Sequence, residues 1–378
     1  MFVNAKALVF AGLFFEGEEA DEWLQCGLRI LNTQLPEQML DDGGHFERST
    51  MYHALALEDV LDLINVCRAY EVDVVCRDFL PQLDARVESM RSWLTAMCHP
   101  DGEISFFNDA ALGVSPSVEE LHGYALRLGY SAVAGSCSAG ASHPVVATPL
   151  TESGYVRLES RDAVAMLDVA PVGPDYLPGH AHADTLSFEM SIRGQRVFVN
   201  SGTSVYGTSD ERLRQRGTAA HNTVVVSDRD SSEVWSGFRV ARRAYPHNLR
   251  IAVSDRQACI RCEHDGYQKT LKPPVVHGRE WRFTSTGLEV LDELLPVENG
   301  SAQVAEARLH LHPSIVTRDV SIKSIHLMLP DGGEVAIKAL ANIRVEESTY
   351  HPYFGVAEAS KCVVLPLVDG KASVAISW

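Results

Sequence analysis

The sequence predicts an α+β chain in two parts, a helical first third followed by an antiparallel β-sandwich. Three observations predict it. Apolar residues recur at helical spacing up to about residue 130. From Gly154 onward the segments become short, β-branched and alternating. Between the two regimes, ten of the twelve residues 131–142 are Ala, Gly or Ser, which is linker composition. The expected organisation is therefore a helical domain over 1–130, a linker over 131–147 and a sandwich over 148–378.

Helices are expected at about 4–15, 18–33, 49–70, 77–98 and 116–128. Gly43-Gly44 and Pro100-Asp101-Gly102 divide them, because glycine frees the backbone and proline removes a donor. Ser49 or Thr50 stands where the N-cap of the third helix belongs. The apolar run Ala7 to Phe15 is too short to cross a bilayer, and Glu16-Gly17-Glu18-Glu19 makes a poor cleavage region. The run therefore reads as a core helix, with no signal peptide visible. Strands are expected at 155–158, 163–167, 196–199, 223–226, 335–337, 363–367 and 373–376, with turns at Asp331-Gly332-Gly333 and Asp369-Gly370. No glycine-rich phosphate loop follows a strand, so a βαβ nucleotide-binding scheme is disfavoured.

Hydrophobic residues at 46% and charged residues at 22% exclude wholesale disorder and allow a sizeable core. A net charge of −17 repels nucleic acid and anionic lipid, so neither nucleic-acid binding nor membrane insertion is expected. A polyanionic ligand would need a local basic site. The eight cysteines form no disulfide framework. Cys259 and Cys262 have CxxC spacing, but on a strand i and i+3 point to opposite faces, which argues against a shared zinc or redox role.

The densest polar constellation is Pro178-Gly179-His180-Ala181-His182-Ala183-Asp184, followed by Asn200-Ser201-Gly202-Thr203 and Ala220-His221-Asn222-Thr223. On an extended strand His180, His182 and Asp184 share one face, and with His221 they could close a metal site. A hydrogen-bonded polar strand end is the alternative. His310 and His312 also alternate on a strand, but without a carboxylate at fixed spacing they read as structural. A second cluster, Asp42, His45, Glu47, Arg48, Tyr52 and His53, lies at a loop-to-helix junction and reads as a binding cleft, with a capped helix start as its alternative. A third feature is basic: Arg212, Arg214, Arg216, Arg229, Arg239, Arg242 and Arg243. Guanidinium groups suit bidentate capture of carboxylate or sulfate, and a solvated patch is the alternative.

These motifs, Gly44-His45-Phe46-Glu47-Arg48 into Met51-Tyr52-His53, Gly179 to Asp184, Asn200 to Thr203, Ala220 to Thr223, and His264-Asp265-Gly266-Tyr267 leading to His277, resemble the heparinase II/III-like polysaccharide lyases. The resemblance covers nearly the whole chain. It implies a partial α/α toroid of helical hairpins before the β-sandwich, and β-elimination at a uronic acid in an acidic polysaccharide. That chemistry needs a neutralised carboxylate, a base at C5 and an acid at O4. By resemblance Tyr52 is the acid, with the base role also open to it, and His180 is the partner base. His53, counted with Tyr52 and His180 in the catalytic set, and His45 would orient substrate, and Glu47, Arg48, Arg212, Arg214, Arg216 and Arg239 would contact it. One Zn2+ would be held in the sandwich by His182, Asn200 and His221, with Asn200 where the family carries Asp, an amide being the poorer ligand.

The resemblance also implies further toroid helices, and an Asn-His pair that neutralises the carboxylate, ahead of Asn4; Met1 stands three residues before that run. An Arg from 212–216, or His45, is the expected substitute. Uncovered helix faces make a homo-oligomer a candidate state. The place of action implied is the cell envelope or periplasm. The rival functions are a non-catalytic remnant that binds acidic glycan through the Arg stretch, and a zinc hydrolase built on His180, His182 and Asp184.

Overall fold

The computed structural model describes residues 1–70, 74–133, 144–297 and 303–378; the small-residue stretch expected as the linker falls outside them from residue 134 on. Five helices come first: α1 (Phe2–Phe14), α2 (Glu18–Gln38), α3 (Thr50–Ala69), α4 (Val74–Ala96) and α5 (Val118–Arg127). Helices α1 and α2 cross closely because glycines face each other's backbone: a Cβ at Gly12 would lie 2.7 Å from the Ala20 carbonyl, and one at Gly27 2.8 Å from that of Ala5. Leu28, Leu31 and Leu35 then meet Leu57, Leu61 and Ile64 of α3 and Leu83, Val87 and Met90 of α4 in one apolar core. Ser49 is the N-cap of α3, accepting from the Tyr52 N–H at 3.2 Å. Among the described residues no helix is long and apolar enough to cross a membrane.

Two antiparallel sheets follow. The first runs in the order Val146–Leu150, Tyr155–Glu159, Ala163–Asp168, Phe188–Ile192, Gln195–Phe198, Ala305–Leu311, Glu358–Pro366, Arg344–Tyr350, with Val224–Val226 also paired to Ala305–Leu311. The second runs Val316–Arg318, Ser324–Met328, Glu334–Ala339, Lys371–Ser377, Gly287–Pro296, Val275–Thr284, Gln257–His264, Pro246–Ser254. Period-2 alternation closes the core between them: Ala258, Ile260 and Cys262 point inward, as do Trp281 and Phe283 on the neighbouring strand. Cys259 faces the other way from Cys262, as the strand spacing requires. The first strand begins at Val146, inside the stretch expected as linker.

Helices and sandwich share a seam core of Trp93, Met97, Phe107, Leu150, Tyr155 and Met166. Asp42 ties it down, its Oδ2 accepting from the Ser153 N–H at 2.7 Å and the Ser153 hydroxyl at 2.8 Å. Gly44 is required here, since a Cβ would stand 2.6 Å from the Trp93 ring nitrogen, and Gly43 (φ 93°) packs on the Ser89 carbonyl. Part of the segment read as a cleft therefore serves this junction.

Candidate active site

The site forms where the start of α3 meets two loops, and one carboxylate organises it. Asp109 lies in the irregular segment after α4, beside Asn108 in the left-handed region (φ 58°). The Asn108 amide donates to the Arg48 carbonyl at 3.0 Å, and the Ser49 hydroxyl donates to the Asp109 carbonyl at 2.5 Å, so the N-cap of α3 also fixes this loop. His180 Nδ1–H donates to Asp109 Oδ2 at 3.0 Å, and His182 Nε2–H donates to Oδ1 at 2.8 Å. Arg212 grips both oxygens, with Nη2 at 2.7 Å from Oδ2 and Nη1 on Oδ1. Burial alone would raise the Asp109 pKa, but the hydrogen bonds from His180, His182 and Arg212 outweigh it and hold the carboxyl far below the usual range. Asp109 is therefore an anion with every strong acceptor position engaged.

Residues 178–187 form a loop rather than the expected strand, because their backbone bonds go to other loops: Asp109 N–H to the His180 carbonyl, and Ala183 N–H to that of Arg216. His180 and His182 still converge, on Asp109. Asp184 accepts from the Asn108 N–H at 3.2 Å, and burial pushes its carboxyl up. From below, Arg279 pairs with Asp292 and donates to the carbonyls of Leu186 (2.8 Å) and Asn222 (2.5 Å), bracketing both histidine loops. His264 and His277 complete that buried relay to Asp292. These motif residues support the site and do not line it.

With Nδ1 bound to Asp109, His180 keeps Nε2 as an acceptor, and its side chain is 21% exposed. The ring lies on Tyr52, with centroids 4.0 Å apart. The Tyr52 hydroxyl is 2.9 Å from that of Tyr206. Burial holds both phenols above their ordinary pKa, so both are protonated at neutral pH. Phe238 and Phe354, each partly exposed, meet the Tyr206 ring at 5.2 and 4.8 Å and make an aromatic wall. Sequence reasoning missed Asp109, Tyr206 and this wall.

Several expected substrate contacts lie elsewhere. Arg212 and Arg216 are fully buried; Arg216 donates to the Ala181 carbonyl through Nε (3.1 Å) and to that of Arg239 through Nη2 (3.2 Å). Both brace loops and neither is presented to a ligand. Arg214 points to the other side of α6 (Asp210–Arg216), pairing with Glu211 beside a cavity of about 770 Å3 that does not contain the Tyr52–His180 pair. His53 is buried on Trp93 with Nε2 2.9 Å from the Met90 carbonyl, so its expected catalytic place is corrected to a packing one. His45 is buried edge-on to Phe46, and burial lowers it to about 3, which leaves it neutral and unfit to counter a carboxylate. Arg48 donates to the Ser153 carbonyl at the seam. Glu47 is half-buried and pushed up by burial. Arg239 is exposed on the hairpin that carries Phe238.

The expected zinc ligands His182, Asn200 and His221 are brought together, all buried. Two imidazoles and one amide make a neutral set, poorer for the ion than one with a carboxylate. Asn200 Oδ1 lies 3.2 Å from His221 Nδ1, and His182 Nδ1 is buried without a hydrogen-bond partner.

A helical half packed on an antiparallel sandwich, with a Tyr–His pair where the start of α3 meets the loops, is the class of architecture these observations define. The model of the heparinase II/III-like C-terminal region matches residues 144–378, and that of the heparinase II/III N-terminus matches residues 1–126. The chain belongs to the heparinase II/III family. It is 27% identical over 284 residues to a heparin-sulfate lyase of Bacteroides stercoris, a match spanning 70% of this chain and 40% of that one. A heparin-sulfate lyase of Pedobacter heparinus is 24% identical over 242 residues, spanning 60% and 36%. A crystal structure of a mutant heparan sulfate lyase from Pedobacter heparinus superposes with a TM-score of 0.78 at 18% identity, covering 100% of this chain and 59% of that one. The chain thus spans well under two thirds of the length of these relatives.

Proposed function

We propose that the chain cleaves a uronic-acid-containing acidic polysaccharide by β-elimination, with His180 as base and Tyr52 as acid. The observation that carries this is the Asp109–His180 bond: a carboxylate on Nδ1 fixes the tautomer that presents Nε2 as a base, against the face of a protonated phenol. The C5 proton passes to His180 Nε2, the C4–O4 bond breaks as the C4=C5 double bond forms, and O4 takes the proton of Tyr52. Tyr206, hydrogen-bonded to Tyr52, orients that phenol. Phe238 and Phe354 offer apolar faces to a sugar ring, and Arg239, exposed on the strand next to Phe238, is the cation we assign to the uronate carboxylate. The family membership and the names of the relatives support the reading. The cell envelope or periplasm is the place of action proposed with it, by family resemblance. The rival, glycan capture by the Arg stretch without catalysis, would rest on its exposed members, since Arg212 and Arg216 are sealed inside.

The test is near-ultraviolet absorbance of the full chain with a panel of uronate polysaccharides, since elimination creates a double bond conjugated to the carboxylate. Tyr52→Phe is expected to lower kcat by about 100-fold or more with binding retained. Unchanged turnover removes Tyr52 from the chemistry, and no absorbance rise on any glycan sinks the lyase reading.

A further inference from the structure

Of the five tryptophans, all of them among the described residues, only Trp235 is exposed, at 53%. An indole is usually largely buried, so what holds this one in water matters. It stands on the hairpin of Val234–Trp235 and Arg239–Val240, whose register pairs Val234 with Val240 and Trp235 with Arg239. Residues directly opposite on an antiparallel pair share a face. The valines face inward, on Val172 and Ala181, so Trp235 and Arg239 stand side by side on the face turned to solvent.

The hairpin is built to keep them there. Two buried arginines hold three of its carbonyls: Arg216 donates to those of Ser236 and Arg239, each at 3.2 Å, and Arg212 to that of Gly237 at 3.0 Å. Its tip lies on the Gly207 carbonyl so closely that a Cβ at Gly237 would come within 2.5 Å. Arg212 is the side chain that also grips Asp109, so the hairpin and the catalytic carboxylate share one anchor. A surface fixed before binding loses little freedom when a ligand arrives. Phe238, in the turn, has its ring 5.9 Å from that of His180. From Phe238 the backbone steps one residue to Arg239 and one strand spacing across to Trp235, a path of about 9 Å that adjoining sugars of one chain can follow.

Charge singles out the same pair. Arg214, Arg242 and Arg243 are matched by Glu211, Glu233 and Asp175, whereas the Arg239 guanidinium has no hydrogen bond or ion pair among the described residues. In a chain of net charge −17, an unmatched cation beside an exposed indole is complementary to a carboxylate carried by rings with apolar C–H faces. We propose that Trp235 is a second sugar-binding platform: it stacks the pyranose ring next to the uronate whose carboxylate Arg239 takes, and extends the site beyond Phe238 by one sugar of an acidic polysaccharide. The proposal rests on the lyase reading for the class of chain that is bound, not for its cleavage, because stacking and ion pairing need no bond to break.

Eight-sugar fragments of each uronate polysaccharide of the panel are titrated into the full chain in a Tyr52→Phe background, to suppress turnover, and binding is read from tryptophan emission and its quenching by acrylamide. Bound fragment is expected to shield the exposed indole. Trp235→Ala should weaken affinity about 5- to 10-fold and abolish the shielding, while Trp235→Tyr keeps most of the affinity. Arg239→Gln should weaken binding by a similar factor and flatten its salt dependence. With Tyr52 in place, Trp235→Ala should raise KM by the same factor and leave kcat as it is. Fragments that bind without shielding the indole, or equally well to Trp235→Ala, overturn the proposal, as does a lack of binding to every fragment. Binding that depends on Trp235 in a wild-type chain that cleaves none of them upholds the platform and sinks the lyase reading alone.

Discussion

Two short segments of this chain carry a pair of histidines each, and the fold treats them oppositely. In residues 44–53, His45 and His53 are both buried: one lies edge-on to Phe46, the other sits on Trp93 and bonds a backbone carbonyl. Burial lowers their pKa values to about 3 and about 4. In residues 179–184, His180 and His182 take opposite oxygens of the same carboxylate, and one keeps a face open to solvent. The difference is Asp109. A histidine becomes chemically useful where an acceptor fixes its tautomer and leaves its other nitrogen accessible; elsewhere the ring is packing material. Tyr52 is what the first segment delivers to the second.

The strongest way to break that comparison is to remove the acceptor. Asp109→Asn is expected to lower turnover by about 10^3–10^4-fold, as when a base loses the carboxylate that orients it. It also strands Arg212 as a buried unpaired cation, a cost of about 3–5 kcal/mol in stability. The two effects separate in the double variant with Arg212→Met, which should regain stability in a thermal melt without regaining turnover in single-turnover absorbance. Wild-type turnover in folded Asp109→Asn would show that the two segments do not differ for the reason given.

A paired experiment sharpens the contrast. His180→Ala should cut turnover by about 10^2–10^4-fold and cost about 1–2 kcal/mol in unfolding free energy, because the ring is partly exposed but donates to the buried Asp109 carboxylate. His53→Ala should cost more, about 2–4 kcal/mol through lost packing on Trp93 and a lost hydrogen bond to Met90, while turnover per folded molecule is unchanged. Denaturant titrations and initial rates on the same preparations read both. Similar rate losses in both variants would return His53 to the chemistry.

The periods of the apolar pattern made the helices and the sandwich legible, and the motifs pointed to Tyr52, His180 and the His182/Asn200/His221 trio. Asp109 escaped because its partners lie 71 to 103 positions away and its own loop has no regular period. The clue present was Asn108-Asp109 interrupting the apolar stretch from Ile104 to Leu112: a polar pair in a buried run must be hydrogen-bonded, so something polar had to meet it. The Arg stretch was overread for the opposite reason. Arg212 and Arg216 are four apart on α6 and share the face that turns inward, whereas Arg214 lies on the other face. Helical phase, not charge count, separates the buried cations from the accessible one. Tyr206 stands between the Asn200 motif and α6, in a segment without regular structure whose reach to Tyr52 is set by tertiary packing alone.

The smallest expected effect concerns acid. His53, held at about 4 in the folded chain against about 6.5 when unfolded, binds its proton only after unfolding at intermediate pH. Its contribution is fully present above pH 6.5 and is lost as pH falls toward 4, at about 1.4 kcal/mol per pH unit. Glu189, pushed up to about 7 by burial, works with the opposite sign: the folded chain binds the extra proton between about 4.5 and 7, so its penalty is relieved as pH falls through that window. The net acid limb of wild type therefore mixes both, but the difference from His53→Gln cancels Glu189. Between pH 7 and pH 5 wild type should lose about 2 kcal/mol more than His53→Gln in urea titrations. Equal losses would mean that the His53 ring is already protonated, or already hydrated, inside the seam, and the contrast between the two histidine segments would then rest on Asp109 alone.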